Sequence, residues 1–347
     1  MFDFGSRAVS ACSRSEKREV ISLIESQSLI FEEGADFTAL VEDADGRLAA
    51  TASLFGNVVR MVAVSPEHRE SGLSAVAISS LIEASRAAGI SHLFLYAKPD
   101  AAFHFASLGF RNIAETDAVS LLEIGEPGIG AYRRYLAENR VNTSDGEKIG
   151  AIVANCNPFT LGHRYLIERA LDRCDVLYVI VVEANLSCFS FADRFAMVKD
   201  GIADLGASGA LKVIGSGEYA VSAATFPTYF LKDRAESQIS RQQAKLDINL
   251  FIRLFVPALG LDARFFGNEP SSPVTAIYNG VMLGALPEAG IEAIEIERKR
   301  TPDGGVISAS KARDMLTAGD TAELGLYLPE STISYLRERR FIERGQK

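Results

Sequence analysis

Gly150-Ala-Ile-Val-Ala-Asn-Cys-Asn-Pro-Phe-Thr-Leu-Gly-His163 runs directly into Arg164-Tyr-Leu-Ile-Glu-Arg-Ala-Leu171. An apolar, strand-like stretch delivers the chain to a proline-containing loop. The loop then turns into a helix whose first turn carries Gly162 and His163. In doubly wound folds ligands bind at this carboxyl end of a parallel strand. A helix N-terminus offers free N–H groups and the positive end of the dipole, a setting that suits phosphate. Gly162 lets backbone approach a ligand closely. His163 can donate a hydrogen bond to a phosphoryl oxygen as charge builds there. Taken alone, a histidine in a first helical turn reads equally well as a residue with no role. It is the whole strand–loop–helix block that argues for a site.

Working outward, Lys148–Ala154 reads as a buried strand, 162–173 as a helix, 175–182 as a strand, 191–204 as a helix and 211–214 as a strand. This alternation predicts a parallel sheet with helices on both faces. No GxGxxG follows the first strand, and no Gly-Lys pair occurs anywhere. Dinucleotide dehydrogenases and P-loop NTPases are therefore poor fits. Further on, Arg298, Lys299, Arg300, Lys311 and Arg313 place five cations in sixteen residues. Ser308 and Ser310 stand at a helix start, Ile307-Ser-Ala-Ser-Lys-Ala-Arg313. Cations in a first helical turn oppose the dipole, so a bound polyanion would explain them. The bland reading is an N-cap followed by solvated basic residues.

Before this region the pattern differs. Residues 15–31 read as an amphipathic helix, and 37–43, 47–54 and 58–64 as strands. A helix runs to about Ala88, and His92–Ala97 is a further strand. This half is α+β. The sequence places a first domain at 1–125, a linker at 126–147 and a second domain at 148–347. The chain has 347 residues, 48% hydrophobic and 23% charged, which excludes disorder and coiled coil as the main architecture. Its charge of −9 argues against a general nucleic-acid binder. Any phosphate-rich ligand then needs a local basic cluster. No apolar run approaches membrane-helix length, and the N-terminus lacks a signal-peptide core. Four cysteines without a CxxC pair suit a reduced, cytoplasmic protein, and the four histidines have no zinc-type spacing.

The Thr160–His163 loop together with Ile307–Arg313 resembles the nucleotidyltransferase superfamily with (H/T)xGH and ISxxxxR signatures. More narrowly, five blocks in order are similar to the citrate lyase ligase family: NPFTLGHRYLIERA (157–170), FSFADRFAMVKDGIADL (189–205), TFPTYFLKD (225–233), FFGNEPSSPVTAIYN (265–279) and VISASKARDML (306–316). The resemblance implies an ATP-dependent, AMP-forming ligase. Acetate is activated as acetyl-AMP with release of diphosphate. The acetyl group then passes to the thiol of the citrate lyase acyl-carrier subunit, on an arm of dephospho-CoA type. Mg²⁺ neutralises the phosphates and needs no protein cage. The alternative is another nucleotidyltransferase that makes a nucleotide cofactor, with a regulatory first domain.

By matched position, Thr160 and His163 are expected on the phosphates, with Lys311, Arg313, Ser308 and Ser310 at the β/γ end. Asn155, Asn157, Phe159 and Gly162 are expected around the nucleotide. Asn157 stands where many superfamily members carry aspartate, which weakens direct metal ligation there. Arg194 reads as a phosphate contact or as an ordinary helix-surface arginine. Gly267, Asn268 and Glu269 border the nucleoside or form a plain turn. Cys156 reads as a small filler rather than a nucleophile. Thr225–Phe230 lines an acyl or pantetheine path, or packs. In the first half, Arg69-Glu-Ser-Gly72-Leu-Ser74 and Phe103–Phe110 resemble GNAT-type acetyltransferases. Arg69, Gly72 and Ser74 are then candidates for a CoA-like arm, and a scaffold without ligand is the other reading.

Overall fold

The structure is a computed structural model that describes residues 4–183, 187–206, 210–221, 226, 235–269 and 272–342. It separates into two compact units. One comprises Met1–Tyr132 with Thr225–Asn249, the other Arg133–Ala224 with Leu250–Lys347.

The first unit is built on a seven-stranded sheet of order β1-β2-β3-β4-β5-β7-β6. Its strands are β1 (Gly5–Val9), β2 (Phe37–Glu42), β3 (Leu48–Phe55), β4 (Val58–Val64), β5 (His92–Ala97), β6 (Arg111–Glu115) and β7 (Ser120–Gly125). Helices α1 (Arg14–Ser26), α2 (Leu73–Ala87) and α3 (Pro99–Ala106) accompany them. Helix α1 starts at a reciprocal cap, Ser13 with Glu16, and ends at Ser26 rather than at residue 31. Ala39, Val41, Ala52, Leu54, Leu93 and Leu95 face Leu73, Ile78 and Leu81 of α2 in one apolar core. All neighbouring strands are antiparallel except β4 and β5. That parallel pair holds register only at Val58↔Phe94 and Val59↔Leu95. Beyond it β4 carries an irregularity, with Met61 at φ +53°.

The other sheet face is apolar as well, with Leu40, Met61, Phe94 and Tyr96 buried. This accounts for the grouping of 225–249 with the first unit, although the sequence placed it in the second domain. Phe226 meets Tyr96 edge-on at 5.8 Å, and Gln242 and Lys245 bond to the Asp117 carboxylate at 3.2 and 3.1 Å. The stretch expected as a linker, 126–147, contains a helix, α4 (Ile129–Glu138).

In the second unit, β8 (Ile149–Ala154), α5 (Leu161–Leu171), β9 (Val176–Val181), α6 (Phe191–Gly201) and β10 (Leu211–Gly215) follow one another. After α7 (Glu236–Leu259) come β11 (Ala263–Gly267), α8 (Pro273–Glu288), β12 (Glu292–Ile296), α9 (Ala309–Ala318) and α10 (Glu330–Glu338). The five strands order as β10-β9-β8-β11-β12, and every neighbouring pair is parallel. The predicted doubly wound sheet is therefore present. Leu177, Val179, Val181 and Phe265 pack with Ile167, Met197, Val198, Ala312 and Leu336. Strand order reverses at β8, between β9 and β11, the kind of switch point at which doubly wound sheets bind ligands.

Candidate active site

The loop after β8 is shaped by Cys156 at φ +51° and a cis Asn157–Pro158 bond. It ends in a reciprocal cap on α5. Thr160 Oγ1 accepts the His163 backbone N–H at 3.2 Å, and His163 Nδ1 accepts the Thr160 N–H at 3.1 Å. Because Nδ1 spends its lone pair on that N–H, the neutral ring carries its proton on Nε2. Burial, reinforced by the Arg298 guanidinium, pushes the imidazole pKa down to about 4. His163 is therefore a neutral Nε2–H donor at pH 7. The ring of Phe159, fully buried, stacks on it at 5.9 Å.

Three helix N-termini meet at one cleft of about 350 Å³. Each is capped by a hydroxyl residue: Thr160 on α5, Ser272 on α8 and Ser308 on α9. The cleft is lined from these caps by Gly162, His163, Thr275, Ala309 and Ser310, and from the ends of β11 and β12 by Gly267, Glu269, Arg298 and Lys299. A Cβ on Gly162 would stand 3.2 Å from the Ile307 carbonyl oxygen, so glycine permits the two signature segments to touch. Arg298 is held by the Asn268 carbonyl at 2.7 Å and paired with the buried carboxylate of Glu269. The Lys299 ammonium lies 5.9 Å from the Tyr165 ring centroid.

The structure brings Thr160, Gly162, His163, Gly267, Glu269, Ser308 and Ser310 together, as the sequence expected. It sends others elsewhere. The Lys311 side chain is exposed and outside the cleft lining, and its backbone N–H completes the Ser308 cap. Arg313 turns to the β8–α5 loop, donating to the Asn157 carbonyl at 2.6 Å and to Ser310 Oγ at 3.0 Å. Arg194, expected as a phosphate contact or a helix-surface residue, is not at the surface and does not line the cleft. It is fully buried and donates to the carbonyls of Phe189, Asn155 and Val182. Asn155 and Asn157 likewise serve the scaffold, their side-chain oxygens accepting from Ser187 and from the Phe189 N–H. Burial pushes the Cys156 thiol up to about 12, consistent with a filler.

The cleft cations are Arg298 and Lys299 rather than Lys311 and Arg313. Both belong to the basic run noted in the sequence, but composition alone could not tell which members of that run face inward. Tyr165, Ser272 and Thr275 were not singled out in the sequence, although they lie in the family-like blocks 157–170 and 265–279. In the first unit, Gly72 caps α2 at φ +73°, Arg69 is exposed and bonds Gln27, and Ser74 lies in the first turn. Of Thr225–Phe230, only Phe226 is within the described residues.

Converging N–H groups, hydroxyls, two cations and one neutral imidazole donor, with the carboxylates of Glu269 and Glu297 beside them, are groups that could hold phosphoryl oxygens. They can stabilise charge on phosphoryl oxygens during an in-line displacement, and no enzyme nucleophile is required.

Residues 149–336 match a protein family described as the citrate lyase ligase C-terminal domain. A citrate (pro-3S)-lyase ligase of Klebsiella pneumoniae is 35% identical, the alignment covering 93% of each chain. One from Haemophilus influenzae is 36% identical over 93% of this chain and 97% of its own. Among solved structures, Escherichia coli ElaA aligns with 36% of this chain and 99% of its own, at 18% identity and TM-score 0.31. An acyl-CoA N-acyltransferase from Pseudomonas aeruginosa aligns with 36% of this chain and 98% of its own, at 16% identity and TM-score 0.30.

Proposed function

The chain belongs to the citrate lyase ligase family, and from that premise we propose that its second unit activates acetate with ATP and passes the acetyl group to the thiol of the citrate lyase acyl-carrier subunit. The observation that carries this reading is the meeting of three capped helix N-termini with His163, Arg298 and Lys299 in one cleft. The triphosphate lies across these groups. A carboxylate oxygen of acetate attacks the α-phosphorus, diphosphate leaves on the opposite side, and acetyl-AMP remains bound. His163 Nε2–H donates to the phosphoryl oxygens as their charge grows. Arg298, Lys299 and the N-terminal amides of α8 and α9 hold the departing diphosphate. Mg²⁺ carried in by the phosphates of ATP would neutralise part of their charge. Among the described residues no group of three or more His, Cys, Asp or Glu side chains is placed to hold a metal ion.

The first unit is the proposed seat of the carrier's CoA-like arm. Past Val59 and Leu95 the β4–β5 pairing stops, which offers backbone groups to an extended, amide-bearing chain. The α2 N-terminus at Gly72 is available for the arm's phosphate.

An isotope exchange between ATP and diphosphate, run across a panel of carboxylates, tests the chemistry. Exchange that requires acetate is the expected result. Exchange that appears only with a phosphomonoester would instead assign the chain to cofactor-nucleotide synthesis.

A further inference from the structure

The β9 side of the parallel sheet carries a carboxylate that the phosphate cleft does not use. Glu183 lies two residues beyond the last β8–β9 register pair, Ala154↔Val181, and Val182 N–H still donates to the Ala154 carbonyl at 3.1 Å. Neighbouring strands stand about 5 Å apart, so the Glu183 backbone lies beside the start of the β8–α5 loop, while its carboxylate reaches over the end of β10. Its placement is built. The backbone N–H of Glu183 donates to Ser216 Oγ at 3.0 Å, and Oε1 accepts the Gly217 N–H at 2.8 Å. Gly215 makes room for it, since a methyl there would overlap Oε1. The facing charges are Arg194, whose guanidinium ties the Val182 and Asn155 carbonyls, and Glu218.

In-line displacement gives the β9 side of the sheet, beyond the cleft lining, a place in the reaction. The leaving diphosphate belongs with Arg298 and Lys299, on the β11–β12 side. The attacking acetate, and the acetyl group afterwards, then lie on the opposite, β9 side. The thiol that resolves acetyl-AMP must approach from there too. We propose that Glu183 is the general base of this second half-reaction, a role that rests on the acetate-activating function proposed above. The thiol proton passes to Glu183 Oε2 while sulfur attacks the acetyl carbon. The S–C bond forms, the C–O bond to the phosphate breaks, and AMP leaves with the electron pair. Glu183 then returns the proton to water. Burial raises the Glu183 pKa, partly offset by the Gly217 N–H, which brings it nearer the working pH of a base.

The test uses the full-length chain and its Glu183→Gln variant, which keeps shape and the acceptor for Gly217. Two rates are read: acetate-dependent ATP–diphosphate exchange, and acetylation of dephospho-CoA as the thiol probe. Exchange should stay within about twofold, while thiol acetylation falls by roughly 10²–10³ at pH 7. The deficit should narrow as pH approaches about 8.5, where the thiol ionises without help. Glu183→Asp, with the charge set back by one methylene, should lose less than Glu183→Gln. An equal loss of both rates, an unchanged acetylation rate, or a deficit that ignores pH would each overturn the role. Absence of acetate-dependent exchange in the parent protein overturns the function itself, and this role with it.

Discussion

Replacing His163 by alanine removes one donor aimed at the phosphoryl group, and acetate-dependent diphosphate release should fall by roughly 10²–10³. Because its pKa is pushed down to about 4, His163 stays neutral through the physiological range. An activity profile should show no His163 limb near 6.5. Stability has the matching sign. A histidine whose folded pKa is depressed binds more protons when unfolded, so its contribution is complete above about 6.5 and lost as pH falls toward 4. Urea melts at pH 7.5 and pH 5 should differ more for the parent than for His163→Gln. The cations permit a second comparison. Lys299→Ala should weaken ATP binding by about tenfold or more, a charge-assisted contact being worth roughly 1.5–3 kcal/mol. Lys311→Ala should change it by less than about twofold, because that side chain is exposed and outside the cleft. Calorimetric titration with ATP ranks the two, and the reverse order would restore the reading that places Lys311 on the phosphates.

At the scale of elements, the site depends on loops held at the ends of strands. Arg194 on α6 draws together the carbonyls of Asn155 and Val182, one from each side of the β8–β9 pair, and its own Phe189. Arg194→Met keeps the apolar stem but leaves buried acceptors without donors, at about 1–3 kcal/mol for each one stranded. The denaturation midpoint should drop by an amount equivalent to roughly 3 kcal/mol, with a much smaller change in ATP affinity of the remaining folded protein. Loss of ATP affinity with unchanged stability would mean that the guanidinium reaches the ligand. Arg313 is a comparable tie between elements, joining α9 to the Asn157 carbonyl. Both arginines sit in segments whose motif could be read, yet a motif identifies the residue type and not the partner. A guanidinium satisfies a carbonyl oxygen as readily as a phosphate, and only the fold decides which oxygen is within reach.

For the whole molecule, the grouping of 225–249 with the first unit governs how the chain can be cut. A fragment beginning near Asn142 keeps that segment but loses the sheet carrying Tyr96 and Asp117, its partners. Ala244, Leu246 and Ile248, all buried in the intact chain, would then be uncovered. The fragment should aggregate or melt earlier. One that also replaces 225–249 by a short link should be better behaved, and size-exclusion chromatography compares the two. If the first fragment proves monodisperse and melts with the full-length chain, 225–249 does not depend on the first unit.

The parallel sheet of the second unit, a hydroxyl cap at Ser308 or Ser310 and the need for glycine at 162 were legible in the sequence, although that glycine was expected to face a ligand and instead clears the Ile307 carbonyl, and the Thr160 cap was not read. Each legible feature rests on a local relation, such as periodicity, a cap three residues from its partner, or a residue lacking a side chain. The convergence of α8 with α5 and α9, the choice of Arg298 and Lys299 over Lys311 and Arg313, the burial of Arg194 and the placement of 225–249 became definite only in three dimensions. Those outcomes depend on which strands are neighbours and on which carbonyls remain without partners once the strands pair. Strand order is a long-range choice among many pairings that leave the local pattern unchanged, and so no stretch of sequence records it alone.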